Sequence, residues 1–250
     1  MSRIFIPNNI INLDPLIITG EIHHHISRVL RLHRGDTLQA ICGDGFLYDI
    51  QINNVKINGT FGEIIEKEFI DIEPRLNVTL YQGMLKGKKI EEMISPLVQL
   101  GLSRFVPIHT KRCENRLMKL GMAKINRYEK IIQWATALSG RTHLMKMEQP
   151  LSFQDAMTDI QKNDFNLIFW ESALQIPLKK QVEKVIEGIG NHKKISVGIF
   201  IGPEGGFTEG EVVIAQELNI VPASLGKRII EAGKAPIIAV TSLLVISCDI

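Results

Sequence analysis

Ile201-Gly-Pro-Glu-Gly-Gly-Phe207 and, farther on, Leu225-Gly-Lys-Arg-Ile-Ile230 are the stretches on which the fold turns. The first follows Ser196-Val-Gly-Ile-Phe-Ile201, an apolar, β-branched run that reads as a buried strand. Gly202, Gly205 and Gly206 permit a tight turn and let a ligand approach bare backbone. Thr208 followed by Glu211 has the spacing of a capping box, which predicts a helix starting just beyond the glycines. Strand, glycine loop and helix in that order is the layout that binds small molecules at the carboxyl ends of parallel strands. Taken alone, the same pattern also serves as a plain strand-to-helix connection.

Outward from these loops, strands and helices alternate all the way back to Leu76, which argues for a mainly parallel sheet with helices on its faces. Strands are expected at Val78–Gln82, Arg104–Ile108, Leu167–Trp170, Val197–Ile201 and Ile220–Ser224. Helices are expected at Lys89–Leu100, Asn115–Leu138, Leu178–Ile189, Glu209–Glu217 and Pro236–Ser247. Before Pro74 the pattern is different. Short runs rich in β-formers, Arg3–Pro7, Thr37–Cys42 and Phe46–Ile52, predict strands, with Gly43-Asp44-Gly45 as a hairpin turn. Ile22–Leu32 carries helical spacing. The expected organisation is a small β-barrel-like domain over 1–73 and an α/β domain over 74–250.

Charge is distributed unevenly. Residues 1–72 hold 6 Lys/Arg against 9 Asp/Glu, residues 75–148 hold 14 against 5, and residues 149–250 hold 9 against 12. A basic block between two mildly acidic ones suggests a polyanion partner, with nucleic acid the commonest, or else a solvated helix face. Cys42, Cys113 and Cys248 have no metal-ligand spacing and fit free thiols in a reducing cytoplasm. No signal peptide or membrane-spanning run is visible, so a cytoplasmic protein is expected. His23-His24-His25 does not predict a metal site, because three consecutive helical histidines point in different directions. Gly83–Lys88 is one residue short of a triphosphate loop and no Ser or Thr follows its lysine, so a nucleotide triphosphatase is excluded.

Several segments in the same order resemble one family. They are Arg3-Ile-Phe-Ile-Pro7, His24 through Leu32 with Gly35-Asp36, and Leu100-Gly-Leu102 with Pro107 and Thr110-Lys-Arg112. Ser139-Gly-Arg141 and the two loops quoted first complete the set. Together they are similar to the bacterial 16S ribosomal RNA (uracil-N3) methyltransferases, enzymes of the SPOUT class. The resemblance implies a PUA-like β-barrel followed by an α/β methyltransferase domain with a C-terminal trefoil knot. It also implies S-adenosyl-L-methionine as cofactor, 16S ribosomal RNA or the small subunit as partner, and a homodimer.

Carried onto this sequence, the cofactor loops would be Gly202, Pro203, Glu204, Gly205 and Gly206, and Leu225, Gly226, Ile229 and Ile230. The stretch after Trp170-Glu171 would form a third wall. Arg228 is the candidate to stabilise a developing uracil anion, or alternatively to clamp backbone carbonyls of the knot. Glu204 either orients the cofactor or caps its loop. Arg28, Arg31, Arg34, Arg112, Arg116 and Arg141 are candidates for RNA phosphates, with Arg28 and Arg31 three apart on one helix face. After Ile230 the family usually has a basic, a small and an acidic residue, then Thr-Ala, whereas this chain has Glu231-Ala-Gly-Lys-Ala235. An enzyme of the same fold acting on another nucleotide, and a catalytically silent RNA binder, are the alternatives.

Overall fold

The computed structural model describes residues 3–113, 120–173, 178–189 and 194–250, without the side chains of 184–189. It divides into two compact units, Met1–Glu73 with Gln133–Leu144, and Pro74–Ile132 with Met145–Ile250. The expected division at Glu73/Pro74 is thus modified, because twelve residues from the middle of the chain belong to the first unit.

The first unit is a five-stranded sheet. Its strands are β1 (Arg3–Phe5), β2 (Leu16–Ile18), β3 (Thr37–Ile41), β4 (Phe46–Lys56) and β5 (Gly59–Phe69). Their spatial order is β1-β3-β4-β5-β2, with β1 parallel to β3 and the other pairs antiparallel. Alternation along the strands sends Ile4, Leu38, Ala40, Ile50 and Ile52 inward. There they meet Ile11 of α1 (Asn8–Ile11) and Ile26, which follows α2 (Gly20–His24). The helix expected over Ile22–Leu32 is shorter than its periodicity suggests. α2 passes into a π-helical turn at His25–Val29, and Arg31 then takes a left-handed conformation, φ 54°. A β5 of eleven residues was not foreseen.

The segment Gln133–Leu144 joins this unit by named contacts. Ala137 packs with Ile41 and Leu47, and the Thr142 carbonyl accepts from the Gly45 amide at 3.2 Å. The Thr142 hydroxyl donates to the Ile70 carbonyl at 2.9 Å. Arg141, only 3% exposed, forks onto Glu73, with its Nη2 2.6 Å and its Nε 3.0–3.1 Å from the carboxylate oxygens.

The second unit carries a wholly parallel sheet. Its strands are β6 (Leu76–Gly83), β7 (Arg104–His109), β8 (Lys146–Met147), β9 (Leu151–Ser152), β10 (Phe165–Phe169), β11 (Ile195–Ile201) and β12 (Val221–Ala223). They lie in the order β12-β10-β11-β6-β7-β8, with β9 also on β7. Helices α3 (Lys89–Gln99), α4 (Met122–Ser139), α5 (Phe153–Ile160), α6 (Leu178–Ile189), α7 (Glu209–Glu217) and α8 (Ala235–Ile246) complete the chain. The sequence reading missed α5, and the first part of the helix expected from Asn115 lies outside the described residues. The capping box forms as expected: Thr208 Oγ1 accepts from the Glu211 amide, and the Glu211 carboxylate accepts from the Thr208 amide. Central strands β6 and β11 are buried on both faces, and β11 accordingly reads as a nearly continuous apolar run. α8 is apolar on every side and packs against α3, α6 and β6.

One polar network is set into this unit. Arg104 donates to Asp159 at 2.6 Å and to Glu148 at 3.0 Å, and the Tyr81 hydroxyl donates to Asp159 at 2.8 Å. Burial pushes the Asp159 carboxyl up, but the Lys162, Arg104 and Tyr81 donors outweigh it and hold it at about 2, against 3.8 ordinarily. A carboxyl depressed in the folded state stabilises fully above its unfolded pKa, and that contribution fades as pH falls through the folded value. Asp159→Asn is therefore expected to cost roughly 2 kcal/mol near neutrality. The gap to the parent should close as pH drops from 3.8 towards about 2. Urea unfolding at several pH values checks this.

Candidate functional site

The glycine loop leaves the carboxyl end of β11, and the second loop leaves that of β12. Both line one cavity of about 310 Å³. Gly202, Pro203, Glu204, Gly205 and Gly206 come from the first loop, and Leu225, Gly226, Arg228, Ile229 and Ile230 from the second. Phe169, Trp170 and Glu171 at the end of β10 form a further wall, and Ala232 and Ala235 also line the cavity. The volume is at the lower end of small-molecule sites, and the lining is mostly apolar, with two carboxylates, Arg228 and exposed backbone. Gly206 (φ 66°) and Gly226 (φ 105°) take backbone conformations that L side chains rarely adopt, which is why glycine stands at both turns.

Some residues that build the loop were not visible in the sequence. A Cβ on Gly83, the last residue of β6, would stand 2.4 Å from the Pro203 nitrogen. Buried Gln82 donates its side-chain amide to the Gly202 carbonyl at 3.2 Å. The glycine loop therefore rests directly on the end of the neighbouring strand. Gly83→Ala must push Pro203 away, and it is expected to cost about 1–3 kcal/mol, as overpacking does. Thermal unfolding measures it. The only hint available beforehand was a glycine at a strand end.

A family model described as an RNA methyltransferase domain matches residues 72–244. Ribosomal RNA small subunit methyltransferase E of Synechocystis sp. is 30% identical over 237 residues, spanning 95% of this chain and 75% of that protein. The chain belongs to the ribosomal RNA small subunit methyltransferase E family. The Bacillus subtilis protein of that name is 29% identical over 227 residues, 90% of this chain and 88% of its own. Among solved structures, a Legionella pneumophila methyltransferase in complex with the bound cofactor SAM superposes with a TM-score of 0.82. It shares 25% identity with this chain, and the match covers 98% of each.

The charged residues that follow the second loop have partners. Lys89, at the start of α3, reaches Glu204 of the glycine loop at 3.0 Å and Glu231 of the second loop at 3.7 Å. Lys234 lies 3.5 Å from Glu231. Glu231 thus meets two lysines, and Lys89 links the two loops. Hydrogen bonding to Glu204 raises the Lys89 pKa. Burial pushes the Glu204 carboxyl up, but its own loop backbone, Lys89 and the Lys86 amide hold it below its ordinary value. Since Glu204 accepts from the Lys86 amide at 3.2 Å as well as from Lys89, its observed bonds order the loop.

The arginines part company. Arg112 donates to the Gly205 carbonyl at 2.8 Å and the Phe207 carbonyl at 3.2 Å, clamping the glycine loop. Arg141 is buried on Glu73 and presents no guanidinium face to solvent, which corrects the expectation of a phosphate contact there. Arg116 lies outside the described residues. Arg28, Arg31 and Arg34 of the first unit are exposed, and none has a hydrogen-bonding or ionic side-chain partner among the described residues. Arg31 follows the π-turn with positive φ, so it does not share a helix face with Arg28. Arg228 is exposed at the cavity, also without such a partner among the described residues, and the expected alternative of a carbonyl clamp is not observed. Among the described residues no helix is long and apolar enough to cross a membrane, and no group of three or more His, Cys, Asp or Glu could hold a metal ion.

Proposed function

We propose that the chain is an S-adenosyl-L-methionine-dependent methyltransferase acting on N3 of a uridine in 16S ribosomal RNA. The observation that carries this reading is the convergence of both glycine-turned loops on one cavity in a chain of the methyltransferase E family. The lining suits the cofactor's parts. Phe169, Trp170, Ile201, Leu225 and Ile230 offer apolar walls for a purine, and the loop backbone offers amides and carbonyls for its edge. Glu171, 3.5 Å from the Cβ position of Gly206, offers a carboxylate for ribose hydroxyls or positive charge. When bound, the cofactor supplies an electrophilic methyl group on a sulfonium.

The protein's own residues must then present a nucleophile. Uracil N3–H titrates roughly two units above neutrality, so a neighbouring cation favours its deprotonated form. Arg228, which lines the cavity, would hold that developing charge at the uracil carbonyls. Arg28, Arg31 and Arg34 would contact phosphates, within a PUA-like barrel formed by the first unit. We place a trefoil knot in the segment from the second loop to α8, supported by the way α8 packs back against α3 and β6. A homodimer accords with exposed Ile229, Ile238 and Val245 around the second loop and α8.

Calorimetric titration with S-adenosylmethionine, with S-adenosylhomocysteine in parallel, tests the cofactor assignment. Saturable binding of one ligand per chain is expected, and no binding to the folded protein would overturn it in favour of a silent RNA binder. Digestion and mass spectrometry of 16S RNA from a deletion strain tests the target. Loss of a single N3-methyluridine is expected, and loss of a different modification would assign another nucleotide.

A further inference from the structure

We propose that Trp134 is a stacking platform for an unpaired RNA base, set beside the arginines of the first unit; this rests on the reading of the chain as an RNA-modifying enzyme. Trp134 lies in the last turns of α4, in the part of that helix that belongs to the first unit. It is 65% exposed, although indole is among the costliest side chains to leave in water. Its ring is held in an edge-to-face contact with the His25 imidazole, centroids 5.8 Å apart and planes at 77°. The contact with His25 leaves the indole 65% exposed, so an aromatic face stays available.

The surroundings select the occupant. His25 opens the π-helical turn that contains Arg28, and Arg31 and Arg34 follow within six residues. Residues 1–72 are acidic overall, with 6 Lys/Arg against 9 Asp/Glu, yet half of those cations fall between 28 and 34. All three are exposed and lack side-chain partners among the described residues. Positive charge concentrated from the turn that His25 opens onwards, with an exposed aromatic ring against His25, is the combination that binds single-stranded nucleic acid, phosphates on arginine and a base on the ring. Duplex RNA hides its base faces in the stack and would leave Trp134 uncovered. A second copy of the chain, laid symmetrically on this face, would bring the same arginines towards one another. Exposed Val29 and Leu138, each four residues from His25 or Trp134, supply apolar contact for the sugar and base edge.

Affinity of the full-length protein for a labelled oligouridylate of about ten nucleotides, and for an abasic strand of equal length, tests the proposal. Trp134→Ala is expected to weaken oligouridylate binding by roughly 5- to 150-fold, with Trp134→Phe close to the parent. The abasic strand should bind both variants alike. The slope of affinity against salt should stay unchanged in Trp134→Ala and flatten in Arg28→Ala/Arg31→Ala. Equal affinity of parent and Trp134→Ala for oligouridylate would overturn the proposal, as would an equal loss with the abasic strand or no binding by the parent. A change in sedimentation of RNA-free Trp134→Ala would instead assign the face to contact between copies. Cofactor titration of the same preparations separates these failures from failure of the methyltransferase reading, because it does not involve Trp134.

Discussion

Replacing Arg228 by Ala is expected to lower the rate of methyl transfer about 10²- to 10³-fold, the usual consequence of removing one preorganised group from a developing anion. The expectation depends on where the guanidinium is. It lines the cavity, in the loop that faces the glycine turn, and no described residue holds it. A cation already paired with a carboxylate, as Arg141 is, would have little field left for a substrate. The clamp alternative predicts something different: loss of stability and of cofactor affinity, with the rate falling only as the site empties. Cofactor affinity of Arg228→Ala within a few-fold of the parent, with the rate reduced, therefore distinguishes the two roles. The pH dependence adds a second readout. If Arg228 favours the N3 anion, the variant's rate should keep rising with pH beyond the point at which the parent levels off, since the uracil pKa in the complex is no longer lowered. A parallel loss in rate and cofactor affinity, with an unshifted profile, would show that the arginine holds the loop.

What the sequence disclosed about this site was local. The strand before Gly202, the capping box at Thr208 and Glu211 and the extent of α7 are each written within a few residues, in periodicity and hydrogen-bonding chemistry. The two loops could be paired only through resemblance, yet the structure brings them to one cavity. Contacts between distant residues were not legible. Gly83 is 120 residues from Pro203, and no spacing rule links a strand-end glycine to a loop so far along. Lys89 reads as the first residue of a helix until Glu204 and Glu231 are seen beside it. β5 was missed for a different reason. From Glu63 to Phe69 every residue is exposed, so no alternation of apolar and polar residues marks it as a strand. At Arg31 the sequence suggested a helix face, because the apolar spacing of Ile22, Ile26, Val29 and Leu30 says nothing of where a π-turn ends the helix.

Arg141→Met should destabilise the first unit by about 3–5 kcal/mol, the cost of stranding a buried charge by removing its partner. Arg141 and Glu73 are 4% and 11% exposed in their side chains, and the guanidinium meets the carboxylate through both Nε and Nη2. Two donors on one planar fork fix the pair in a single geometry, so a lysine at this position should recover only part of the loss. The pair also explains a feature of the chain's organisation. Glu73 is the last residue before the second unit begins, and Arg141 belongs to the twelve residues that return to the first. With Ala137 packed on Ile41 and Leu47, and Thr142 bonded to Ile70, the ion pair secures that return. Thermal unfolding of Arg141→Met should show a fall of roughly 6–20 °C, at about 2–4 °C per kcal/mol for a chain of this size. The double variant Arg141→Met/Glu73→Leu should recover most of it, because apolar side chains of similar volume often replace a buried pair without net cost. RNA affinity decides the rest. If Arg141 is structural, the slope of binding against salt in Arg141→Met, measured well below its unfolding temperature, will equal the parent's; a slope lower by about one would return Arg141 to the phosphate contacts.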